Sequence, residues 1–119
     1  MMGKMLSAVL RECADASSLN GLTIGYKCPG CGHYHVLPVN YRPEGRNGPR
    51  WTWDGNAEAP TISPSIRSYT SDPDGSNERT TCHHFVSEGQ IQFCGDSPHA
   101  LSGKTVPMVP WRLDDADQV

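Results

Sequence analysis

Hydrophobic and polar residues alternate in short runs along most of this chain. Residues 22–27, 34–39 and 105–109 each have the pattern of a strand, and 12 glycines and 10 prolines are spread through the 119 residues. Such spacing leaves little room for long helices and favours short strands joined by turns. Residues 5–11 fit either a strand or two turns of helix, and a strand is preferred. The pattern predicts an all-β domain built mainly from short antiparallel strands and loops.

The clearest local prediction is a β-hairpin over residues 81–94. If Glu88 and Gly89 form a two-residue turn, Val86 pairs with Ile91 and, further out, His83 pairs with Cys94. Directly opposed residues share a face of the sheet, and a slip of one residue would exchange the two faces. The face that carries the aliphatic side chains, and is therefore predicted to face the core, consists of Cys82, His84, Val86, Ile91 and Phe93.

Three further stretches carry weaker signals. Trp51 and Trp53 share one face of an extended chain and are expected to cover the core, although paired tryptophans can also form a ligand platform. Two prolines within residues 60–66 exclude a central position in a sheet and predict an edge strand or an irregular segment. Residues 70–80 are rich in small and polar side chains and predict a mobile loop.

The length of the chain predicts one domain over residues 1–119, with its core at about 22–111. Residues 1–20 are expected to form a strand or short helix followed by a polar turn at 14–20. Residues 42–50 predict a polar loop, and residues 112–119 predict a frayed acidic tail. Trp111 is expected to complete the core.

Cysteine and histidine are concentrated in a few places. The segment Cys28-Pro29-Gly30-Cys31-Gly32-His33-Tyr34-His35 places two sulfurs three residues apart on a Pro/Gly turn, which is the geometry of half a zinc site. All five histidines and four of the five cysteines lie in this segment or in residues 82–84, 94 and 99. A strand, a metal turn and a strand form a zinc ribbon or knuckle. We expect a structural Zn²⁺ bound by Cys28, Cys31, His35 and Cys82, with His33 and His84 as alternative ligands.

Redox chemistry and disulfide bonding are less favoured roles for the cysteines. A thioredoxin-like redox pair requires a helix that starts at the first cysteine, whereas the residues after Cys31 look extended. A disulfide framework fits poorly with an odd number of cysteines, five, and with the absence of an export signal at the N-terminus. Cys13 stands apart from the remaining cysteines and is expected to be an ordinary thiol.

A carboxylate precedes an imidazole by three residues at Asp96 and His99. Asp96 could orient His99 as a base or as a partner of a metal ligand, or it could cap a short helical turn over residues 97–102. Together with His83, these residues form a candidate catalytic set for a small zinc-dependent hydrolase, in which the ion activates a water molecule.

Charge and hydropathy exclude several classes of function. The net charge is −3 and no run of lysine or arginine forms a stripe, which argues against a nucleic-acid partner. No apolar segment approaches the roughly 20 residues that span a membrane. Arg11 and Glu12 interrupt the N-terminal apolar run too early for an export signal. We expect a soluble protein of the cytoplasm.

The order of several motifs resembles that of a family of small proteins of unknown function from tailed phages and prophages, some of which have been labelled ammonia monooxygenase. These motifs are C-x-x-C-x-x-x-H, W-x-W-D-G with P-T-I-S-P-S-I, C-H-H-F with E-G-Q-I-Q-F, and D-S-P-H-A-L-S-G-K-T-V. The resemblance runs from about Gly25 to Trp111. It implies a phage origin, action in the infected host cell and a compact zinc-binding fold. Cys94 lies outside the pattern of the family, whose positions are Cys28, Cys31, His35, Cys82, His83, Asp96 and His99.

Three functional hypotheses follow from the sequence. The favoured one is a protein with a structural zinc ion that interacts with a host or phage protein. The second is the zinc-dependent hydrolase that uses His83, Asp96 and His99. The third is a zinc ribbon in which Tyr34, Trp51 and Trp53 stack on nucleic-acid bases, and the acidic balance of the chain disfavours it.

Overall fold

A computed structural model describes residues 5–13, 22–41 and 49–111, and these residues form two antiparallel sheets. No helix occurs in the described ranges, so the prediction of an all-β fold is confirmed. The predicted turn at 14–20, residues 42–48 of the predicted loop and the predicted tail at 112–119 lie outside the described residues. The strands are β1 (Arg11–Glu12), β2 (Leu22–Lys27), β3 (Tyr34–Val39), β4 (Thr52–Trp53), β5 (Ile62–Thr70), β6 (Arg79–Ser87), β7 (Gln90–Phe93) and β8 (Thr105–Pro107).

The first sheet has the order β1-β2-β3 and presents the cysteine turn between its two longer strands. Lys27 pairs with Tyr34 at the end of the β2–β3 ladder. Beyond that pair, the Cys28 N–H donates to the His33 carbonyl at 2.9 Å, and the Gly32 N–H donates to the Cys28 carbonyl at 3.1 Å. The predicted strand, turn and strand are therefore all present.

The preference for a strand over residues 5–11 is wrong for most of that segment. Only Arg11 belongs to a strand, and Met5 forms an isolated bridge with it. The Ser7 hydroxyl accepts hydrogen bonds from the Val9 and Leu10 N–H groups, each at 3.1 Å. A serine side chain that binds nearby backbone N–H groups favours a turn over a ladder, and this explains why the chain folds back here.

The second sheet has the order β4-β5-β6-β7-β8 and contains the predicted hairpin. Val86 pairs with Ile91 and His84 with Phe93, as expected. The two turn residues, Glu88 and Gly89, have φ angles of 50° and 76°, which is the backbone of the tight turns that suit hairpins. The five residues assigned to the core face by the sequence are all buried.

The position of β5 differs from the prediction. β5 pairs with β4 on one side and with β6 on the other, so it is not an edge strand. Its pairing with β6 is nevertheless irregular, because Ile62 pairs with Val86 and the next pair is Ile66 with His84. The residues Ser63, Pro64 and Ser65 therefore lie opposite the single residue Phe85, and this bulge accommodates the proline. The Ser63–Pro64 peptide bond is cis.

Two further segments differ in structure from what the sequence indicated. In the 70–80 stretch, Thr70 ends β5 and Arg79 begins β6, and the turn between them is closed by a hydrogen bond from the Asp72 N–H to the Ser76 carbonyl at 2.8 Å. No helical turn forms over residues 97–102, which contain turns instead.

Among the described residues, no helix is capable of crossing a membrane.

The core is built from side chains of both sheets. Trp51 and Trp53 are half-buried against it, as the sequence indicated. Trp111 is also half-buried: its indole N–H donates to the Val9 carbonyl at 3.2 Å, and its ring stacks on Tyr34 at 4.8 Å. The largest side chains with no exposed surface include Leu10, Ile24, Tyr26, Val39, His84 and Ile91.

Candidate functional site

Four sulfur and nitrogen atoms converge where the cysteine turn of the first sheet meets β6 of the second. The turn supplies Cys28 and Cys31, the start of β3 supplies His35, and β6 supplies Cys82. The Cys28 and Cys82 sulfurs are 3.8 Å apart, and the Cys31 sulfur lies 3.5 Å from His35 Nε2. One donor atom from each of the four residues lies within 4.8 Å of the other three. We call this group the metal cluster.

Two donor–donor distances in the metal cluster fit a tetrahedral ion. Zn–S bonds of about 2.3 Å and Zn–N bonds of about 2.0–2.1 Å separate neighbouring ligand sulfurs by about 3.8 Å, and a sulfur from a nitrogen by about 3.5 Å. The two distances found here match these edges. The cluster can therefore hold a metal ion, and four protein ligands leave no position open for a substrate or an activated water.

The close approach of these groups changes their ionisation. Burial lowers the pKa of His35, but hydrogen bonds and charge from Cys28 and Cys31 outweigh burial and raise that pKa to about 9. Hydrogen bonds from Cys28 and Cys82 lower the pKa of Cys31 far below the usual range of a thiol. Cys31 thus favours the thiolate, whereas hydrogen bonds from Cys28 and Cys31 raise the pKa of Cys82 and keep its thiol protonated. A bound cation would replace such protons.

Behind Cys82, a buried chain of polar side chains contacts its sulfur. His84 Nε2 lies 2.6 Å from the Tyr26 hydroxyl, and His84 Nδ1 lies 3.5 Å from the Cys82 sulfur. Burial, reinforced by the charge of His35, lowers the pKa of His84 to about 3, and burial, reinforced by nearby thiolates, raises the pKa of Tyr26. Both groups are therefore neutral, so one ring nitrogen of His84 carries a proton and the other a lone pair. The two contacts connect the phenol of Tyr26 to the Cys82 sulfur through this ring.

His99 also contacts the metal cluster. The Leu101 N–H donates to His99 Nδ1 at 3.3 Å, which leaves Nε2 as the protonated nitrogen, 3.6 Å from the Cys82 sulfur. The His99 ring packs closely over Gly30 of the cysteine turn, where an added Cβ would overlap the ring and lie 2.8 Å from Phe93. The sequence grouped His99 with His83 and Asp96, but the structure places it beside Cys82.

On the opposite face of β6, His83 lies between a serine and a carboxylate. Ser65 Oγ is 3.1 Å from His83 Nε2, and the Asp96 oxygens are 3.0 and 3.1 Å from His83 Nδ1. The carboxylate accepts the Nδ1 proton, so Nε2 carries the lone pair that can accept the proton of the serine. A serine, an imidazole and a carboxylate connected in this order can perform nucleophilic catalysis.

Local backbone structure positions the serine. Ser65 ends the bulge opposite Phe85, and bulges commonly redirect a side chain beside an active site. The Trp51 indole N–H donates to the Ser65 carbonyl at 3.3 Å. A half-buried side chain of the core therefore holds the backbone of the serine.

The carboxylate is positioned by a turn that follows β7. The Ser97 hydroxyl accepts the His83 N–H at 3.0 Å and donates to the His83 carbonyl at 2.8 Å. The Cys94 N–H also donates to the His83 carbonyl at 2.8 Å, and the Ser97 N–H donates to the Cys94 carbonyl at 3.1 Å. These bonds fix the turn against β6 and bring Asp96 to His83, so Asp96 binds an imidazole and does not cap a helix.

Sequence reasoning missed three of these residues. Ser65 and Ser97 had no spacing signal, because serine is common and each one acts through a distant residue. The only indication at Ser65 was the expected irregularity around its neighbouring prolines. Tyr26 was placed correctly on a strand, but its contact with His84 joins two sheets. Of the histidines offered as alternative ligands, His84 lies behind Cys82, and the side chain of His33 is exposed.

Comparison with known proteins gave one result. A family model described as a bacterial ubiquitination-like system serine protease (BubE) matches residues 8–94. The match includes the metal cluster, Ser65 and His83, and it ends two residues before Asp96. No curated protein and no solved structure matches the chain.

Proposed function

The chain belongs to the bacterial ubiquitination-like system serine protease (BubE) family, and on that premise we propose that it is a serine protease whose nucleophile is Ser65. His83 is the general base and Asp96 is the carboxylate that orients it. This differs from the hypotheses favoured by the sequence, which gave the chain an interaction role or placed His83 and Asp96 beside a catalytic zinc ion.

One observation carries the proposal: both ring nitrogens of His83 are occupied by the partners that a serine protease needs. Ser65 Oγ lies 3.1 Å from Nε2, and Asp96 lies 3.0 Å from Nδ1. A single Ser–His contact is common on protein surfaces and would carry little weight. The carboxylate on the other nitrogen selects the tautomer that can take a proton from serine.

The reaction follows from these positions. Ser65 Oγ attacks the carbonyl carbon of the substrate while its proton passes to His83 Nε2, and the carbonyl electron pair moves to oxygen. Asp96 stabilises the imidazolium that forms. When the carbonyl re-forms, the bond to the leaving group breaks, His83 returns the proton to the leaving amine, and an ester remains on Ser65. Water then attacks the ester with His83 as base, which releases the carboxylic acid and regenerates the serine.

We propose that the metal cluster holds Zn²⁺ in a structural role. Three sulfurs and one imidazole nitrogen form a donor set typical of structural zinc. When bound, the ion links the cysteine turn of the first sheet to β6 and takes no part in the reaction. Because Cys82 and His83 are consecutive, this link also fixes the backbone of the base.

The family description supports a protein partner. We propose that the substrate is a protein of a bacterial ubiquitination-like system, cleaved at an amide or ester formed by its carboxyl group. The resemblance to phage and prophage proteins supports a phage or prophage origin and action in the cytoplasm of the host cell. All five cysteines are free of disulfide bonds, which agrees with a reducing compartment.

A fluorophosphonate probe tests the nucleophile without knowledge of the substrate, because such probes react with activated serines. We expect one adduct per chain, located on Ser65 by peptide mass spectrometry. Ser65→Ala should abolish labelling, and Ser63→Ala, on the same bulge, should retain it. The proposal fails if folded wild-type protein takes up no probe, or if Ser65→Ala is labelled as fast as wild type.

A second measurement tests the substrate class. A ubiquitin-like protein of such a system, fused through its C-terminus to a reporter protein, should be cleaved by wild-type protein and not by Ser65→Ala. Probe labelling without cleavage of the fusion would keep the nucleophile and reject this substrate.

A further inference from the structure

Cys94 lies beside the proposed base and carboxylate, and the proposed mechanism does not use it. It is opposite His83 across the hairpin, where its N–H donates to the His83 carbonyl at 2.8 Å. Opposed residues share a face of a sheet, so the Cys94 thiol is on the same side as the His83 ring. One donor atom each from His83, Cys94 and Asp96 lies within 4.8 Å of the other two.

We infer that His83, Cys94 and Asp96 form a second cation site, at which a thiophilic divalent ion such as Zn²⁺ inhibits the enzyme. The inhibition rests on the proposed protease function, whereas the binding of the ion does not. Thiolate, imidazole and carboxylate are the three ligand types of zinc in proteins. With three protein donors, the fourth position of a tetrahedral ion is left for water.

The site differs from the metal cluster in its access to solvent. Cys28 and Cys82 of the metal cluster are 1% and 0% exposed, whereas the side chains of His83 and Asp96 are 26% and 55% exposed. An ion can therefore enter and leave the second site without unfolding the chain. The buried cluster supplies four donors and should fill first, so the second site responds to the free ion that remains.

Inhibition follows from the nitrogen that the ion would occupy. Without the ion, His83 Nδ1 carries the proton that is donated to Asp96, and Nε2 accepts from Ser65. A cation bound through Nδ1 takes the lone pair of that nitrogen, so the single proton of the neutral ring moves to Nε2, and the Cys94 thiol releases its own proton to water. A protonated Nε2 cannot accept the proton of Ser65, and the base is lost while the fold is unchanged.

The first experiment measures probe labelling during a zinc titration. Protein that already carries one zinc ion per chain is titrated with ZnCl₂, and the rate of fluorophosphonate labelling of Ser65 is followed. We expect the rate to fall by about tenfold or more as a second equivalent binds. Without added zinc, Cys94→Ala should be labelled at the wild-type rate. It should need about tenfold or more additional zinc for the same inhibition, a change typical for loss of groups that support a metal site. Cys13→Ala, which removes a thiol outside both groups, should behave as wild type.

The second experiment detects the ion directly. Co²⁺ added to the one-zinc protein should bind as a second equivalent and produce the near-ultraviolet absorption of a cobalt–thiolate bond, and Cys94→Ala should lack that absorption. If wild type shows no such band, or if Cys94→Ala is inhibited at the same zinc concentration as wild type, the site is rejected. Failure of all labelling rejects the protease function, whereas the cobalt measurement still decides whether the cation site exists.

Discussion

Cys82 and His83 are consecutive residues of β6 whose side chains lie on opposite faces of the sheet and belong to different sites. The Cys82 sulfur contacts Cys28 in the buried metal cluster, and the His83 ring contacts Ser65 and Asp96 on the outer face. The alternation of side chains along a strand produces this arrangement without any special backbone geometry. A displacement of β6 at Cys82 therefore also displaces the base.

Loss of one ligand of the metal cluster should lower the stability of the protein and abolish labelling. Cys82→Ser removes one of four donors, and apparent binding free energies of roughly 10–16 kcal/mol for structural zinc are as large as the whole stability of a typical domain, about 5–15 kcal/mol. We expect metal content below one ion per chain, a lower melting temperature and no labelling of Ser65. Cys94→Ser, measured in parallel, should retain the first metal ion. Full metal content and normal labelling in Cys82→Ser would contradict the ligand assignment.

Asp96→Asn should reduce the labelling rate with little effect on stability. The side chain of Asp96 is 55% exposed, so its replacement leaves no buried group without a partner. An amide in its place no longer selects the tautomer with a free Nε2 lone pair, and loss of a positioned base typically costs about 10²- to 10⁴-fold in rate. Labelling kinetics and thermal unfolding of the same preparation check this, and an unchanged rate would remove Asp96 from the proposed mechanism.

Gly30→Ala should destabilise the protein at the cysteine turn. Its Cβ would overlap the His99 ring and lie 2.8 Å from Phe93, and overpacking of this kind typically costs about 1–3 kcal/mol. Gly95→Ala is the matched control, because an added Cβ there meets nothing within 4 Å. Denaturant unfolding of both variants measures the difference, and equal free energies of unfolding would contradict the close contact of His99 with the turn.

His84 should make the protein less stable as the pH falls. The pKa of His84 is about 3 in the folded state, lowered chiefly by burial, and about 6.5 is usual in an unfolded chain. Between these two values the unfolded state binds one more proton, so the free energy of unfolding decreases with falling pH by up to about 1.4 kcal/mol per unit. This contribution is fully present above about pH 6.5 and is lost as the pH falls toward 3.

Release of the metal ion at low pH affects wild type and the variant His84→Gln alike. A comparison of the two proteins therefore isolates the contribution of His84. We expect the difference in free energy of unfolding between wild type and His84→Gln to shrink as the pH is lowered from 7 to 4.5. A difference that stays constant over this range would show that His84 does not resist protonation.

The sequence predicted those parts of the structure that depend on neighbouring residues. The cysteine turn and the β6–β7 hairpin are local, and the alternation of Cys82 and His83 followed directly from the strand. Ser65 could not be predicted, because its role depends on a bulge whose register is set by pairing with β6. The short distance in sequence between Asp96 and His99 could not show that the two side chains diverge. The turns after β7 direct the His99 ring toward Cys82 and the Asp96 carboxylate toward His83.

The bulge that carries Ser65 opens onto a sheet face where Phe85 is 45% exposed. A carbonyl oxygen that becomes charged on such an exposed face remains hydrated unless the substrate covers it, and hydrogen bonds gain strength when bulk solvent is removed. A large folded partner bound to this face would exclude water from the reacting atoms, whereas a short free peptide would leave them exposed to solvent. Selectivity for intact protein over peptide would then arise from the exposure of this face.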